Sequence, residues 1–161
     1  MAKSKAISPK DILQKSFKPS KGKSWSEKLT HAKEPQVKRI EKDFADIPAG
    51  AKMLIATPKI IDNYIRQIPK GKSTTLQTMR KDLAHEYHAE YTCPVTTGIF
   101  LRIVSEAAHE QIENGKPTTA VAPFWRVVDE NSPLAKKLSF GPAFIKAQRY
   151  KERITYINRK S

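Results

Sequence analysis

The clearest hydrophobic pattern in the chain lies between residues 93 and 113, where apolar side chains recur at the spacing of an amphipathic helix. Its apolar positions are Val95, Ile99, Phe100, Ile103, Val104, Ala107, Ala108 and Ile112. Pro94 suits a first helical position, and Asn114-Gly115 suits the end of a helix. The pattern predicts a helix of about five turns with one buried face.

Weaker patterns precede this helix. Ser24-Trp25-Ser26-Glu27 resembles a capping box, and scattered apolar residues as far as Phe44 indicate one or two short helices. Residues 53–56 are apolar and indicate either a strand or an extended lead-in. The first well-defined helix is expected only after this run.

Two helices joined by a turn are predicted next. Thr57-Pro58 has the form of an N-cap and first residue of a helix running through Ile68. Residues 68–72 form a rigid basic turn, and residues 73–75 can cap a second helix that carries Leu76, Met79 and Leu83 on its apolar side. The long helix then becomes the third of a series.

The C-terminal part adds a β-rich segment. Thr118 to Val128 contains β-branched residues around Pro123, residues 129–132 are polar, and Gly141-Pro142 opens a last basic helix. Three helices followed by such a segment predict a mostly α fold with a small β wing, a winged helix-turn-helix in a single domain. The expected boundaries are 1–23 for a disordered basic arm, 24–56 for a helical or extended lead-in, 57–153 for the winged-helix domain and 154–161 for a tail.

Charge narrows the choice of partner. The 161 residues include 30 Lys and Arg against 16 Asp and Glu, a net charge of +14, which predicts an anionic partner, either nucleic acid or a membrane surface. We expect double-stranded DNA, with RNA as the alternative. The basic arm could add phosphate contacts or serve only as a solubilising tail. One cysteine excludes an internal disulfide, and no apolar run of membrane length or secretory signal is seen, so we expect a cytoplasmic protein that does not enter membranes.

Candidate nucleic-acid contacts lie on the two predicted turns and at the start of the third helix. Hydroxyls and a glycine at a helix N-terminus leave N–H groups free for a phosphate or a base edge. A buried helix with ordinary caps is the alternative interpretation. The candidates are Lys70, Lys72, Thr74, Thr75, Thr96, Thr97, Gly98, Arg102 and Arg126.

Two separated motifs resemble the DNA-binding domain of the O6-alkylguanine-DNA alkyltransferases and the alkyltransferase-like proteins. Residues 68–75, Ile-Pro-Lys-Gly-Lys-Ser-Thr-Thr, resemble that family's Ile-Pro-x-Gly turn. Residues 123–128, Pro-Phe-Trp-Arg-Val-Val, resemble its Pro-Cys-His-Arg-Val-Val active-site segment. Downstream, Leu134, Gly141 and Lys146 fall where its Leu-Gly-Lys pattern would. The resemblance covers residues 57–153 and implies a winged-helix protein that binds DNA and serves DNA repair or recognises alkylation damage.

The same comparison implies that alkyl transfer is lost. Phe124 stands where the family has its acceptor cysteine, and Trp125 where it has the activating histidine. A phenyl ring has no lone pair for an alkyl carbon, and an indole cannot shuttle a proton near neutral pH. Pro123, Phe124, Trp125 and Arg126 therefore form a degenerate active site, and we expect a non-catalytic protein.

Cys93 and two histidines before it could support other chemistry. Cys93, at the N-cap of the long helix, is the candidate for a displaced alkyl acceptor, because a helix N-terminus favours a thiolate. His85, His88 and Cys93 form a loose cluster with metal-ligand residue types but no evident fourth ligand. We expect neither a metal nor a cofactor. A basic RNA-binding or protein-interaction module on the same scaffold is a further alternative.

The aromatic pair Phe124 and Trp125 has two interpretations. Two large apolar residues after a proline are more often core than ligand platform, which predicts that they close the inherited base pocket. In an open pocket, Trp125 beside Arg126 would instead offer a stacking wall for a base. The two cases differ in whether these side chains are buried.

Overall fold

The structure, a computed structural model, describes residues 24–31 and 33–154. It is a mixed α/β fold in which about half of these residues are helical and three short strands form one sheet. The helices are α1 (Trp25–Thr30), α2 (Pro58–Arg66), α3 (Leu76–Glu86), α4 (Pro94–Glu113), α5 (Pro133–Lys137) and α6 (Ala143–Lys151), and the strands are β1 (Gln36–Arg39), β2 (Lys52–Ile55) and β3 (Tyr91–Thr92). The predicted arm at residues 1–23 and the tail from residue 155 lie outside the described residues.

The strands pair in the order β1-β2-β3, with β1 and β2 before α2 in the chain and β3 between α3 and α4. β1 and β2 pair antiparallel, with Val37 opposite Leu54, whereas β2 and β3 run parallel, with Leu54 opposite Thr92. The apolar run at residues 53–56 is thus mostly strand, one of its two predicted forms. Helical structure expected as far as Phe44 is confirmed only for α1, because residues 36–39 pair with β2.

α4 is the central helix, and its predicted ends are confirmed. Cys93 is the N-cap, Pro94 the first helical residue, and Asn114 the C-cap, followed by Gly115 at a φ of +102°. α1 and α2 both pack against α4. The carboxylate of Glu110 accepts hydrogen bonds from the N–H groups of Trp25 and Ser26 at 3.2 and 3.1 Å. A side chain of α4 therefore holds the start of α1, a helix too short to be stable alone.

Neighbouring segments cover α4 on more than its predicted apolar face. Thr96 and Thr97 are 0% exposed, and Leu101 and Glu106 are 2% exposed, although none of the four belongs to the predicted apolar stripe. The Thr97 hydroxyl donates to the carbonyl of Cys93 at 2.6 Å, a local bond that allows burial of a polar side chain. The Glu106 carboxylate accepts from the N–H and hydroxyl of Ser139 at 2.9 and 2.5 Å. Hydrogen bonds within the protein thus replace water at Thr97 and Glu106, although neither residue belongs to the predicted apolar stripe.

The predicted β wing is wrong for residues 118–128, all of which the structure describes. They form 3-10 turns at Thr118–Ala120 and Phe124–Arg126, with no strand between them. Pro117 and Pro123 have no N–H to donate to a ladder, and the backbone closes local bonds instead, such as Val127 N–H to Phe124 C=O at 3.0 Å. The β-branched residues mark burial here rather than pairing. A winged helix-turn-helix is not confirmed.

Three of the remaining helices, α2, α3 and α6, were predicted from the sequence. α2 ends at Arg66, before the predicted limit at Ile68. α6 confirms the predicted last helix. α5 was not predicted, although Ser132 caps it and Pro133 starts it in the usual way. No helix among the described residues is long and apolar enough to cross a membrane.

Gly98, inside α4, and Gly115, just after its C-cap, generate a paired stability prediction. A Cβ added at Gly98 would meet no atom within 4 Å, whereas Gly115 has the positive φ that side chains disfavour. Gly98→Ala should raise the free energy of unfolding by about 0.5–1 kcal/mol because alanine favours the helix. Gly115→Ala should lower it by about 1 kcal/mol through backbone strain. Urea denaturation of both variants measures this, and a destabilised Gly98→Ala protein would contradict the open space at that position.

Candidate nucleic-acid interface

Three segments that carry the predicted motifs meet at the carboxylate of Glu152. The Arg126 guanidinium donates from Nε to Oε1 at 2.8 Å and from Nη2 to Oε2 at 2.9 Å. The indole Nε1–H of Trp125 donates to Oε2 at 2.8 Å, and the N–H of Gly71 donates to Oε1 at 3.2 Å. We call Gly71, Trp125, Arg126 and Glu152 the Glu152 cluster. It joins the two motifs of the alkyltransferase resemblance to the end of α6.

The basic turn, residues 68–72, is held tightly in this cluster. Gly71 has a φ of +80°, the left-handed value that the third position of a type II turn requires, and the N–H of Lys72 donates to Pro69 C=O at 3.0 Å. Arg126 Nη1 donates to the carbonyl of Ile68 at 2.6 Å. Lys70 and Lys72 are exposed on either side of Gly71. The turn therefore presents two cations from a fixed backbone.

The electrostatics of the cluster favour an ionised Glu152. Burial alone would raise the pKa of its carboxyl, but hydrogen bonds from Arg126, Trp125 and the Gly71 N–H outweigh burial and hold that pKa below its ordinary value of 4.5. The Glu152 side chain is only 8% exposed and that of Arg126 14%. The carboxylate thus neutralises Arg126 inside the protein and adds little negative charge to the surface.

The two aromatic residues of the second motif lie in the core. Phe124 is 0% exposed and Trp125 2% exposed, and Phe124 packs edge-on against Trp125 with ring centroids 5.3 Å apart. Phe140 and Phe144 pack on Phe124 at 5.6 and 5.9 Å, and His109 stacks on Phe140 at 4.0 Å. These five rings form a continuous aromatic cluster. Both side chains are buried, as the closed-pocket interpretation predicts.

A surface pocket of about 160 Å³ lies beside this segment. Its lining residues are Arg66, Thr118, Thr119, Val121, Pro123 and Arg126. Neither Phe124 nor Trp125 lines the pocket, so the pocket does not lead to these two side chains. Because none of its lining side chains is aromatic, the pocket has no stacking surface for a flipped base.

The residues proposed at the start of the long helix do not form an open contact face. Thr96 and Thr97 are fully buried, so their side chains cannot contact a nucleic acid, contrary to the expectation. Gly98 is half-buried. The Arg102 guanidinium lies 5.5 Å from the Trp25 ring centroid, and its Nε lies 3.8 Å from the Glu106 carboxylate. Arg102 therefore helps to dock α1.

The residues proposed at the first motif remain accessible. Lys70, Lys72 and Thr75 are exposed and Thr74 is half-buried. Thr75 caps α3 by accepting from the N–H of Thr78 at 3.0 Å, and the N–H of Thr74 donates to the carbonyl of Arg126 at 2.8 Å. The two lysines are therefore accessible for the predicted contacts, whereas the two threonines hold the backbone that carries these lysines.

The alternative chemistry on Cys93 has no accessible site. The Cys93 side chain is 0% exposed, and its sulfur accepts a hydrogen bond from the N–H of Thr96 at 3.5 Å. His85 and His88 are exposed, apart from the buried thiol. No group of three or more metal-ligand side chains in the described ranges is placed to hold a metal ion.

Sequence reasoning missed Glu152. The only local signal was one acidic residue between Lys151 and Arg153 in a basic helix end, which gives no indication of a partner 26 positions away. It also missed Arg149, which is 7% exposed and donates from Nη1 to the carbonyl of Trp125 at 2.6 Å. Both residues fix the Phe124–Arg126 turn from the same helix.

Comparison of the chain with protein-family models, with curated proteins and with solved structures found no match. The alkyltransferase resemblance therefore stays a prediction from the two motifs.

Trp125 generates a stability prediction. Trp125→Ala should lower the free energy of unfolding by about 3–5 kcal/mol, because it empties a buried indole site and removes a donor to Glu152. Tyr150→Ala is the matched control, since Tyr150 is 85% exposed and its loss should change stability by less than about 0.5 kcal/mol. Thermal and urea denaturation measure both. An unchanged melting temperature for Trp125→Ala would mean that the indole is not core.

Glu152 generates a pH prediction. Its lowered pKa contributes stability that is complete above 4.5, the ordinary value, and is lost as pH falls through the lower folded-state value. Glu152→Gln should lower the free energy of unfolding at neutral pH by about 3 kcal/mol, because Arg126 loses its counter-charge. Below pH 4.5 the wild-type protein should lose stability more steeply than this variant.

Urea denaturation across a pH series measures both effects. Glu41→Gln, which changes an exposed carboxylate beyond β1, is the control and should leave the curve nearly unchanged. Parallel pH curves for wild type and Glu152→Gln would contradict an ionised, hydrogen-bonded Glu152.

Proposed function

We propose that the protein binds double-stranded DNA without catalysis, in the manner of the alkyltransferase-like proteins that its two motifs resemble. The observation that carries the proposal is the Glu152 cluster. It brings both motifs together and leaves Lys70 and Lys72 exposed on a turn with a fixed backbone. Cations on a rigid turn lose little freedom on contact with phosphates, which favours binding.

The charge balance supports the same partner. The net charge of +14 attracts a polyanion, and each phosphate contact releases counterions from DNA. The nearest carboxylate to the basic turn, that of Glu152, is turned inward and paired with Arg126. The surface around Lys70 and Lys72 therefore keeps its positive charge. The Lys-rich arm at residues 1–23 would add contacts of the same kind.

Absence of alkyl transfer follows from the residues present. In the resemblance, Phe124 stands at the position of the acceptor cysteine and Trp125 at that of the activating histidine. Both side chains are buried. The single thiol, Cys93, is buried at the start of α4. The geometry therefore favours a binding protein over an enzyme and supports recognition of the backbone of DNA rather than of one modified base.

An anisotropy titration with a labelled DNA duplex over a salt series tests the proposal. Binding should weaken as salt rises, and Lys70→Gln combined with Lys72→Gln should reduce the slope of log affinity against log salt by about two units. Lys42→Gln combined with Lys52→Gln removes the same charge from exposed positions around the sheet and should change the slope less.

Two results would contradict the proposed interface. Absence of binding at low salt would remove DNA as the partner. Equal loss from both lysine pairs would show attraction by overall charge rather than by the basic turn. Competition with structured RNA belongs to the same titration, and a preference for RNA would favour the RNA-binding alternative.

The same assay separates backbone binding from damage recognition. Duplexes with guanine and with O6-methylguanine should bind equally at equal salt, because Phe124 and Trp125 leave no space for a flipped base. Tighter binding of the methylated duplex would overturn the lesion-blind part of the proposal while leaving DNA binding intact.

A further inference from the structure

Tyr150 is the most exposed large apolar side chain among the described residues, at 85%. It lies on the side of α6 opposite the buried Ile145, Gln148 and Arg149. No ring contact or side-chain hydrogen bond of Tyr150 is present within residues 24–31 and 33–154. An aromatic ring left in water gives up its stabilising contacts, so this side chain does not serve the fold.

The helix surface around Tyr150 leaves its ring uncovered. Helical side chains lean toward the preceding turn, where Tyr150 has Ala147 three positions before it and Lys146 four positions before it. Ala143, a further turn back, is also small and exposed. Two alanines leave room for a flat group on the ring, and Lys146 supplies a charge beside it.

Exposed cations lie at the end of α6 that carries Tyr150 and on the turn that contacts this helix end. Lys151 and Arg153 are exposed at the end of α6, and the N–H of Arg153 donates to Tyr150 C=O at 3.0 Å. Gly71 touches the same helix end, since a Cβ added there would lie 3.5 Å from the carbonyl oxygen of Glu152. The basic turn therefore places Lys70 and Lys72 next to that end. The Glu152 carboxylate, the acidic group within this run, is occupied by Arg126.

We propose that Tyr150 and the surrounding cations bind an unpaired stretch of DNA, with a base stacked on the tyrosine ring. This inference rests on the proposed function and names the state of the DNA at that surface. Every base has a face for stacking, but in an intact duplex both faces are covered by neighbouring base pairs. An exposed aromatic ring among lysines gains a partner where bases are unpaired, as in an overhang, gap or opened pair. The cations follow the backbone of that strand.

A single-stranded oligothymidine carrying one 2-aminopurine, compared with a duplex of the same length, tests the inference. Stacking on Tyr150 should quench the 2-aminopurine fluorescence of the single strand. Tyr150→Ala should abolish the quenching and weaken single-strand binding by roughly 5- to 150-fold, the range for one base–aromatic stack, with little change for the duplex. Tyr150→Phe keeps the ring and should retain both quenching and affinity. Circular dichroism and melting of both variants verify that they fold.

The outcomes separate this inference from the proposed function. If duplex binding depends on salt and on Lys70 and Lys72, but Tyr150→Ala leaves single-strand binding and quenching unchanged, the stacking site is wrong and the proposed function stands. Equal weakening of duplex and single strand by Tyr150→Ala would also overturn the inference. If neither DNA binds at low salt, both are overturned.

Discussion

The ion pair between Glu152 and Arg126 is the interaction on which the arrangement of the molecule's motif-bearing segments depends. The two residues are 26 positions apart in the chain. The basic turn, which contacts both of them, ends at Lys72, 54 positions before Arg126. A carboxylate and a guanidinium taken out of water need nearly all of their hydrogen-bonding groups satisfied. Here the carboxylate has four donors, and the guanidinium also reaches the carbonyl of Ile68. The charges are thereby made compatible with burial, and three segments acquire one relative position.

The same ion pair explains how the Phe124–Arg126 turn holds its place without a strand partner. Trp125 enters the core and donates its indole N–H to Glu152, while its carbonyl accepts from Arg149. The carbonyl of the next residue, Arg126, accepts a hydrogen bond from the N–H of Thr74, two positions after the basic turn. Residues 124–126 thus connect three segments of the structure, because buried aromatic side chains and a charged pair fix their backbone.

The helices whose ends are set by their own capping residues could be predicted from the sequence. The caps and apolar period of α4 were sufficient to predict both of its ends, and Thr57-Pro58 and Gly141-Pro142 did the same for the starts of α2 and α6. Prediction failed where distant partners decide. Residues 36–39 became a strand because β2 offers its edge. Residues 118–128 did not, because Pro117 and Pro123 cannot donate to a ladder and the three valines of this segment are buried in the core. Thr96 and Thr97 have an ordinary helix-start pattern, and only the tertiary packing buries them.

The burial of Cys93 has a consequence for the behaviour of the protein in an oxidising solution. It is the single thiol of the chain, its sulfur caps α4, and no part of its side chain is exposed. Two folded copies therefore cannot be joined through a disulfide without first opening the start of α4. The rate at which an added thiol reagent modifies the protein then reports how often this helix end opens. Cys93 is thus an intrinsic probe of local unfolding at the start of α4.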